Sequence, residues 1–213
     1  GVITKLDWSA PRIMVGHDAN NEPILLLTGP EPDSRWQHFA ECVVELSEKL
    51  NVRRMLGMGA YPIATPHTRA VKISCTSPDA HLSSLLPFIK SSVDVPAGME
   101  AVLEQAMFNA GIQSVGLWAQ VPHYVSQPPC PKASLALVNR LDDLLGVRIP
   151  IDDLQEEALA WEVGVDQLSL EDADVAQYVQ GLEEQQDAAD LPEASGDAIA
   201  REFERYLRRR EER

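Results

Sequence analysis

Over residues 24–146 short apolar runs alternate with amphipathic stretches, which confines the chain to a mostly parallel sheet with helices on both faces. Ile24–Thr28, Arg54–Met58, Val71–Thr76 and Val115–Val121 have the length and apolar content of strands. Trp36, Phe39, Ala40, Val43, Leu46 and Leu50 recur at helical spacing behind a cap at Asp33 or Ser34. A short helix from Ser77 toward Ile89 and a loop from Val93 to Gly98 come later. Met99, Val102, Leu103, Ala106, Met107 and Ala110 then share one side of a helix that Gly111 ends, and Pro131 opens a helix reaching Leu145. The segment before Asn21 carries no expected strand. Four strands are few for such a sheet, so the core over residues 1–150 is expected to be incomplete on its N-terminal side.

Three of the runs stop at proline-flanked polar clusters. Ile24–Thr28 meets Gly29-Pro30-Glu31-Pro32-Asp33, Arg54–Met58 leads to Pro66-His67-Thr68-Arg69, and Val115–Val121 meets Pro122-His123-Tyr124. Parallel strands would bring all three clusters to one edge, where open α/β sheets bind ligands.

After Pro150 the strand signal disappears. Leu154, Ala158, Trp161, Val165 and Leu168, then Val175, Tyr178, Val179 and Leu182, predict a helical hairpin whose second helix starts at Ser169. A polar stretch from Gln185 to Gly196 separates it from a final helix with Ile199, Phe203, Tyr206 and Leu207 on one face. This extension, residues 151–213, holds the acidity: it carries 19 acidic and 6 basic residues, against 14 and 12 in residues 1–150.

A net charge of −15 excludes extended contact with nucleic acid, which needs clustered Lys and Arg. No apolar run is long enough to cross a membrane and no charged-then-apolar leader opens the chain, so a cytoplasmic protein is expected. Cys42, Cys75 and Cys130 have no metal or redox spacing. Cys42 and Cys75 read as packing residues, and Cys130, among prolines, as the more exposed thiol.

His67 and His123 are the candidate acid or base residues, since imidazole titrates near neutrality. Arg69, with Thr68, could hold an anion; alternatively it pairs with Glu31 or Asp33 across the sheet edge and braces the loops. Trp118 and Tyr124 are the aromatic residues beside these loops that a substrate would contact. A metal site would need His67, His123 and Glu31 or Asp33 to converge without any supporting local spacing, so neither a metal nor a cofactor is expected. His17, His38 and His81 are expected to face solvent. Gly57-Met58-Gly59 lacks the third glycine of a dinucleotide fingerprint, and neither a Walker loop nor a G-x-S-x-G elbow occurs.

Three segments together carry a resemblance: Leu26-Leu27-Thr28-Gly29-Pro30-Glu31-Pro32-Asp33-Ser34-Arg35-Trp36, Pro66-His67-Thr68-Arg69, and Leu117-Trp118-Ala119-Gln120-Val121-Pro122-His123-Tyr124-Val125. The sequence resembles the actinobacterial branch of the proteasome-assembly-chaperone-2-like family from Asp18 to Leu182. The resemblance implies a three-layer α/β/α sandwich of the phosphorylase/hydrolase-like type with a helical C-terminal addition, often trimeric, and usually with a further N-terminal segment. It implies an oligomeric assembly or scaffold protein, with the acidic C-terminal helices engaging a protein partner. The alternative is a hydrolase or phosphorylase-like enzyme acting on a small anionic, nucleoside-like substrate at the sheet edge.

Overall fold

The computed structural model describes residues 2–190 apart from positions 3, 6, 19, 86–96, 126, 128 and 147–148. The expected final helix with Ile199, Phe203, Tyr206 and Leu207, the end of the short helix at Ile89 and the loop from Val93 lie outside the described residues. In chain order the elements are β1 (Arg12–His17), β2 (Pro23–Thr28), α1 (Trp36–Lys49), β3 (Arg54–Ile63), β4 (Ile73–Thr76), α2 (Ala80–Leu85), α3 (Met99–Asn109), β5 (Gln113–Pro122), α4 (Pro131–Leu145), α5 (Leu154–Glu171) and α6 (Ala173–Asp190).

The α/β class and its layering are as expected. β5 lies at the centre of a three-stranded sheet, parallel to β3 and antiparallel to β4. Its alternate residues serve two different faces, as the period of a strand requires. Val115, Leu117, Ala119 and Val121 join Ile73 and Ala133 in a core under α4. On the other face α1 and α3 pack through Ala40, Met99 and Leu103, with Met55 of β3 beneath them. Leu117 and Ala119 have no exposed surface, which fixes β5 as the hydrophobic centre.

Local chemistry explains the ends of these helices. Pro131 stands in the first turn of α4, and Gly146, at φ 66°, ends it in the left-handed conformation that glycine adopts without strain. α1 departs from the expected capping: it begins at Trp36 after a left-handed Arg35, with no side-chain cap from Asp33 or Ser34. The Trp36 indole N–H instead donates to the Pro32 carbonyl at 2.6 Å and fixes the entry.

The opening of the chain corrects the expectation of a shared edge. Ile24–Thr28 is a strand, but it pairs antiparallel with Arg12–His17 in a separate two-stranded ribbon, with Ile13 opposite Leu27 and Met14 opposite Leu26. The turn is local: the Asp18 carboxylate accepts the backbone N–H groups of Asn20 and Glu22, and Asn21 takes a left-handed φ of 64°. An apolar strand finds its partner most readily a few residues away, and Arg12–His17 is the strand that the sequence pattern concealed. Ile13, Met14, Val15, Ile24, Leu26 and Leu27 of the ribbon are all exposed.

Other expectations shift in smaller ways. β3 runs to Ile63, five residues beyond its apolar run. α5 continues through Ser169, which is buried, and the break before α6 falls at Asp172, whose carboxylate accepts the N–H groups of Asp174 and Val175. Cys42 is exposed, whereas Cys130 is half-buried against the α4 core, the reverse of the sequence reading. His17, His38 and His81 are exposed. Among the described residues no helix is long and apolar enough to cross a membrane.

Candidate functional site

β3 and β5 run parallel, so the loops that follow them meet at one edge, and His67 and Tyr124 touch there. The Tyr124 oxygen accepts the backbone N–H of His67 at 2.9 Å and lies 2.7 Å from His67 Nδ1. His67 Nε2 lies 3.0 Å from the Asp166 carboxylate on α5. A carboxylate can only accept, so Nε2 carries the proton and donates to Asp166, and the Tyr124 hydroxyl donates to Nδ1. Burial pushes the Tyr124 hydroxyl up to about 12, against the lowering effect of the His67 N–H, so the phenol keeps that proton. His67 is 2% exposed with both ring nitrogens engaged. It joins the β3 loop, the end of β5 and α5 in one chain of hydrogen bonds.

The residues around it face α5 and α6. Arg69 grips Asp187 through two parallel bonds of 2.8 Å, from Nε and Nη2, and reaches Glu183 at 3.1 Å. The Asp187 bond raises the Arg69 pKa further and holds the Asp187 carboxyl below its usual range. Thr68 donates to Glu183, Thr65 donates to Gln186 at 3.1 Å, and Lys72 pairs with Asp190 at 2.7 Å. Lys132, from the first turn of α4, donates to the His67 carbonyl and pairs with Glu162. The acidic hairpin is thus strapped to the strand-end loop along its length, and Ala158, Val165, Val179 and Leu182 are buried between its helices and the rest of the protomer.

Only part of the predicted set converges. His67, Thr68, Arg69, Tyr124 and His123 share this edge, where His123 stacks edge-on against Tyr124 and Tyr178 with ring centroids 5.7 and 5.6 Å away. His123 is exposed, and its Nδ1–H donates to the Ile63 carbonyl at 3.2 Å. Glu31 goes elsewhere: its carboxylate accepts the N–H of Met99 at 2.7 Å, capping α3. Asp33 is exposed in the segment before α1. Arg69 therefore braces the loops, as one sequence reading had it, but against Glu183 and Asp187 instead of Glu31 or Asp33. Trp118 points to the opposite face from α4, where a Cβ on Gly59 would come within 2.4 Å of its ring, and its indole N–H donates to Thr76.

The space left at the edge is small. The cavity between Pro66, His67, Lys132 and Trp161 is about 10 Å³, room for roughly one water. A wider depression of about 490 Å³ lies at the opposite end of the strands, bordered by Glu48, Asn51, Val52, Arg53 and Ile112 and holding none of the candidates. The half-buried thiols are not activated: burial pushes Cys75 up to about 11 and raises Cys130.

A second polar cluster went unnoticed in the sequence. Glu100 and Glu104 stand one turn apart on α3 and face Gly57 and Gly116, where an added Cβ would collide with the Glu100 carboxylate. Glu104 accepts from Thr76 at 2.8 Å, but both buried Glu100 oxygens have no hydrogen-bond partner among the described residues. Burial, and then the Glu104 charge, push Glu100 up to about 7.

Sequence reasoning also missed Lys132, Asp166, Glu183 and Asp187. One signal was present: Glu183, Asp187 and Asp190 fall on one face of a helix, and Arg69 and Lys72 stand three residues apart.

The comparisons agree with this architecture. No curated protein matches the chain. A PAC2 family protein from Streptomyces avermitilis is 42% identical, with a TM-score of 0.75 over 82% of this chain and 74% of its own. A proteasome-assembly chaperone homologue from Mycobacterium tuberculosis is 37% identical, with a TM-score of 0.75 over 84% and 76%. A second M. tuberculosis protein, of unknown function, is 34% identical, with a TM-score of 0.78 over 87% of this chain but only 64% of its own. With the PAC2 family profile matching residues 2–169 as well, the chain belongs to the PAC2 family.

Proposed function

We propose that this chain acts by binding protein, as an assembly or scaffold protein of the kind that the description of its M. tuberculosis chaperone homologue implies. The observation that carries this reading is the neutralisation of Arg69, Lys72 and Lys132 by carboxylates of the same protomer, over a cavity of about 10 Å³. A hydrolase or phosphorylase acting on a small anion would need a cation free at that edge. Strapped down in this way, the hairpin is an arm of fixed orientation, and a partner would meet its outer surface, where Glu156, Glu157, Glu171 and Asp174 are exposed. The apolar ribbon of β1 and β2 supports self-association, because a two-stranded ribbon bare on both faces is marginal in water; a trimer is the size that the family resemblance implies. Three free thiols fit a reducing cytoplasm.

Sedimentation velocity of the chain, alone and mixed with proteasome core subunits from the same organism, tests this proposal. The expected result is an oligomer whose boundary moves when the subunits are added. A monomer that sediments independently of them overturns it.

A further inference from the structure

The outer side of α1 carries three groups of complementary chemistry. Trp36, Phe39, Ala40 and Val43 pack toward α3 and the sheet, which leaves His38, Glu41 and Cys42 exposed on the opposite side. Cys42 stands one turn after His38, and its Sγ lies 4.0 Å from His38 Nε2, the reach of an S–H···N contact. The other ring nitrogen, Nδ1, lies 3.6 Å from Glu41 Oε2. A carboxylate at that distance favours the proton on Nδ1, so Nε2 presents its lone pair to the thiol. Glu45, the next acidic residue along this side, is already paired with Lys49 at 2.6 Å.

We propose that Cys42 is a thiol-exchange site: it takes a low-molecular-weight disulfide and becomes a mixed disulfide, with His38 as its proton acceptor. The step balances. The S–H proton passes to His38 Nε2 and the thiolate attacks one sulfur of the small disulfide, so that a new S–S bond forms to Cys42 as the old one breaks. The departing thiolate takes the proton from the imidazolium, which the Glu41 charge stabilises; one free thiol leaves, and the small disulfide is the oxidant. The other two cysteines do not compete. Cys75 and Cys130 are half-buried, and burial makes each of them harder to ionise. Both also belong to the core under α4, on the other face of the sheet from α1, so neither can resolve the mixed disulfide within the protomer. It persists until an external thiol reduces it.

Peptide mass spectrometry of the reduced full chain, sampled over time in oxidised glutathione at neutral pH, tests this assignment. The expected result is glutathione on Cys42 about tenfold faster than on Cys75 or Cys130, and a rate at Cys42 that falls about threefold to tenfold in His38→Ala. The smaller alanine opens access to the sulfur, so steric hindrance cannot produce that slowing. His38→Gln, which keeps much of the bulk but cannot take the proton, should match it, and an unchanged thermal midpoint in both variants shows that α1 is intact. Glutathione arriving first on Cys75 or Cys130, or a rate at Cys42 that both variants leave at the wild-type value, overturns the proposal. A disulfide between the Cys42 thiols of two copies, formed in place of the glutathione adduct, overturns it too.

Discussion

Replacing His67 with alanine is expected to lower the stability of the protein by about 2–4 kcal/mol, roughly 5–15 °C in Tm for a chain of this size. The effect is large because the side chain is 2% exposed and its removal takes a partner from the half-buried Tyr124 hydroxyl and from Asp166, which water can reach. The Tyr124 hydroxyl loses its acceptor and the Asp166 carboxylate loses its donor, while a void opens beneath the loop. Thermal and urea unfolding of the variant measure the loss, and exchange in α5 and α6 should rise more than exchange in α1 or α3. An unfolding midpoint indistinguishable from wild type would show that the bonds of His67 do not hold the hairpin. Arg69→Gln, which breaks a pair that remains partly in water, should cost much less.

Glu100→Gln is expected to act in the opposite direction. Glu100 titrates near 7 instead of its ordinary 4.5, because burial penalises its charge and Glu104 stands beside it. The folded state therefore keeps a proton that the unfolded state releases, and between those two values the unfolded chain binds fewer protons. Stability then falls as pH rises from about 4.5 to about 7 and stays reduced above that window. The substitution removes the charge but keeps the shape, and its amide can donate toward Glu104. It should stabilise the protein by about 1–2 kcal/mol at pH 8, after allowance for solvent screening of a half-buried group, and by little at pH 4. The two carboxyls titrate as a pair, so the unfolding midpoint across pH should be read against Glu104→Gln in parallel. A variant whose pH profile follows wild type from 4 to 8 would contradict the assignment.

These predictions concern residues that the sequence revealed to very different degrees. β5 and α4 were legible because each carries a clear local pattern: a mostly apolar run covered by its neighbours, and an amphipathic helix opened by Pro131 and reaching Leu145. The loop after β3 was legible as a polar cluster but not as a clasp. The partners of Arg69 lie more than a hundred residues away, and the acidic face at Glu183, Asp187 and Asp190 and the cations at Arg69 and Lys72 each show a local pattern without showing that they pair. His67 was singled out for its chemistry, and what decided its role was burial, which no residue shows by itself. Glu100 was hidden for a different reason. A carboxylate in the first turn of a helix is ordinary stabilisation of the helix dipole, and only the glycines opposite make this one buried and unpaired. β1 escaped notice because a six-residue strand with only three consecutive apolar positions resembles a loop until its hairpin partner is in place.

The strand-end edge binds the protein's own helices, and the central proposal is that it does so in place of a substrate. Thermal unfolding of the full chain with phosphate, nucleosides and nucleotides, each at millimolar concentration, tests it most directly. A ligand present at about a hundred times its Kd stabilises by ~2.7 kcal/mol, roughly 5–10 °C here, so binding at that level would be plain. The clasp predicts no change in midpoint with any of them. A shift of several degrees with one of these ligands, abolished in Arg69→Gln, would contradict it.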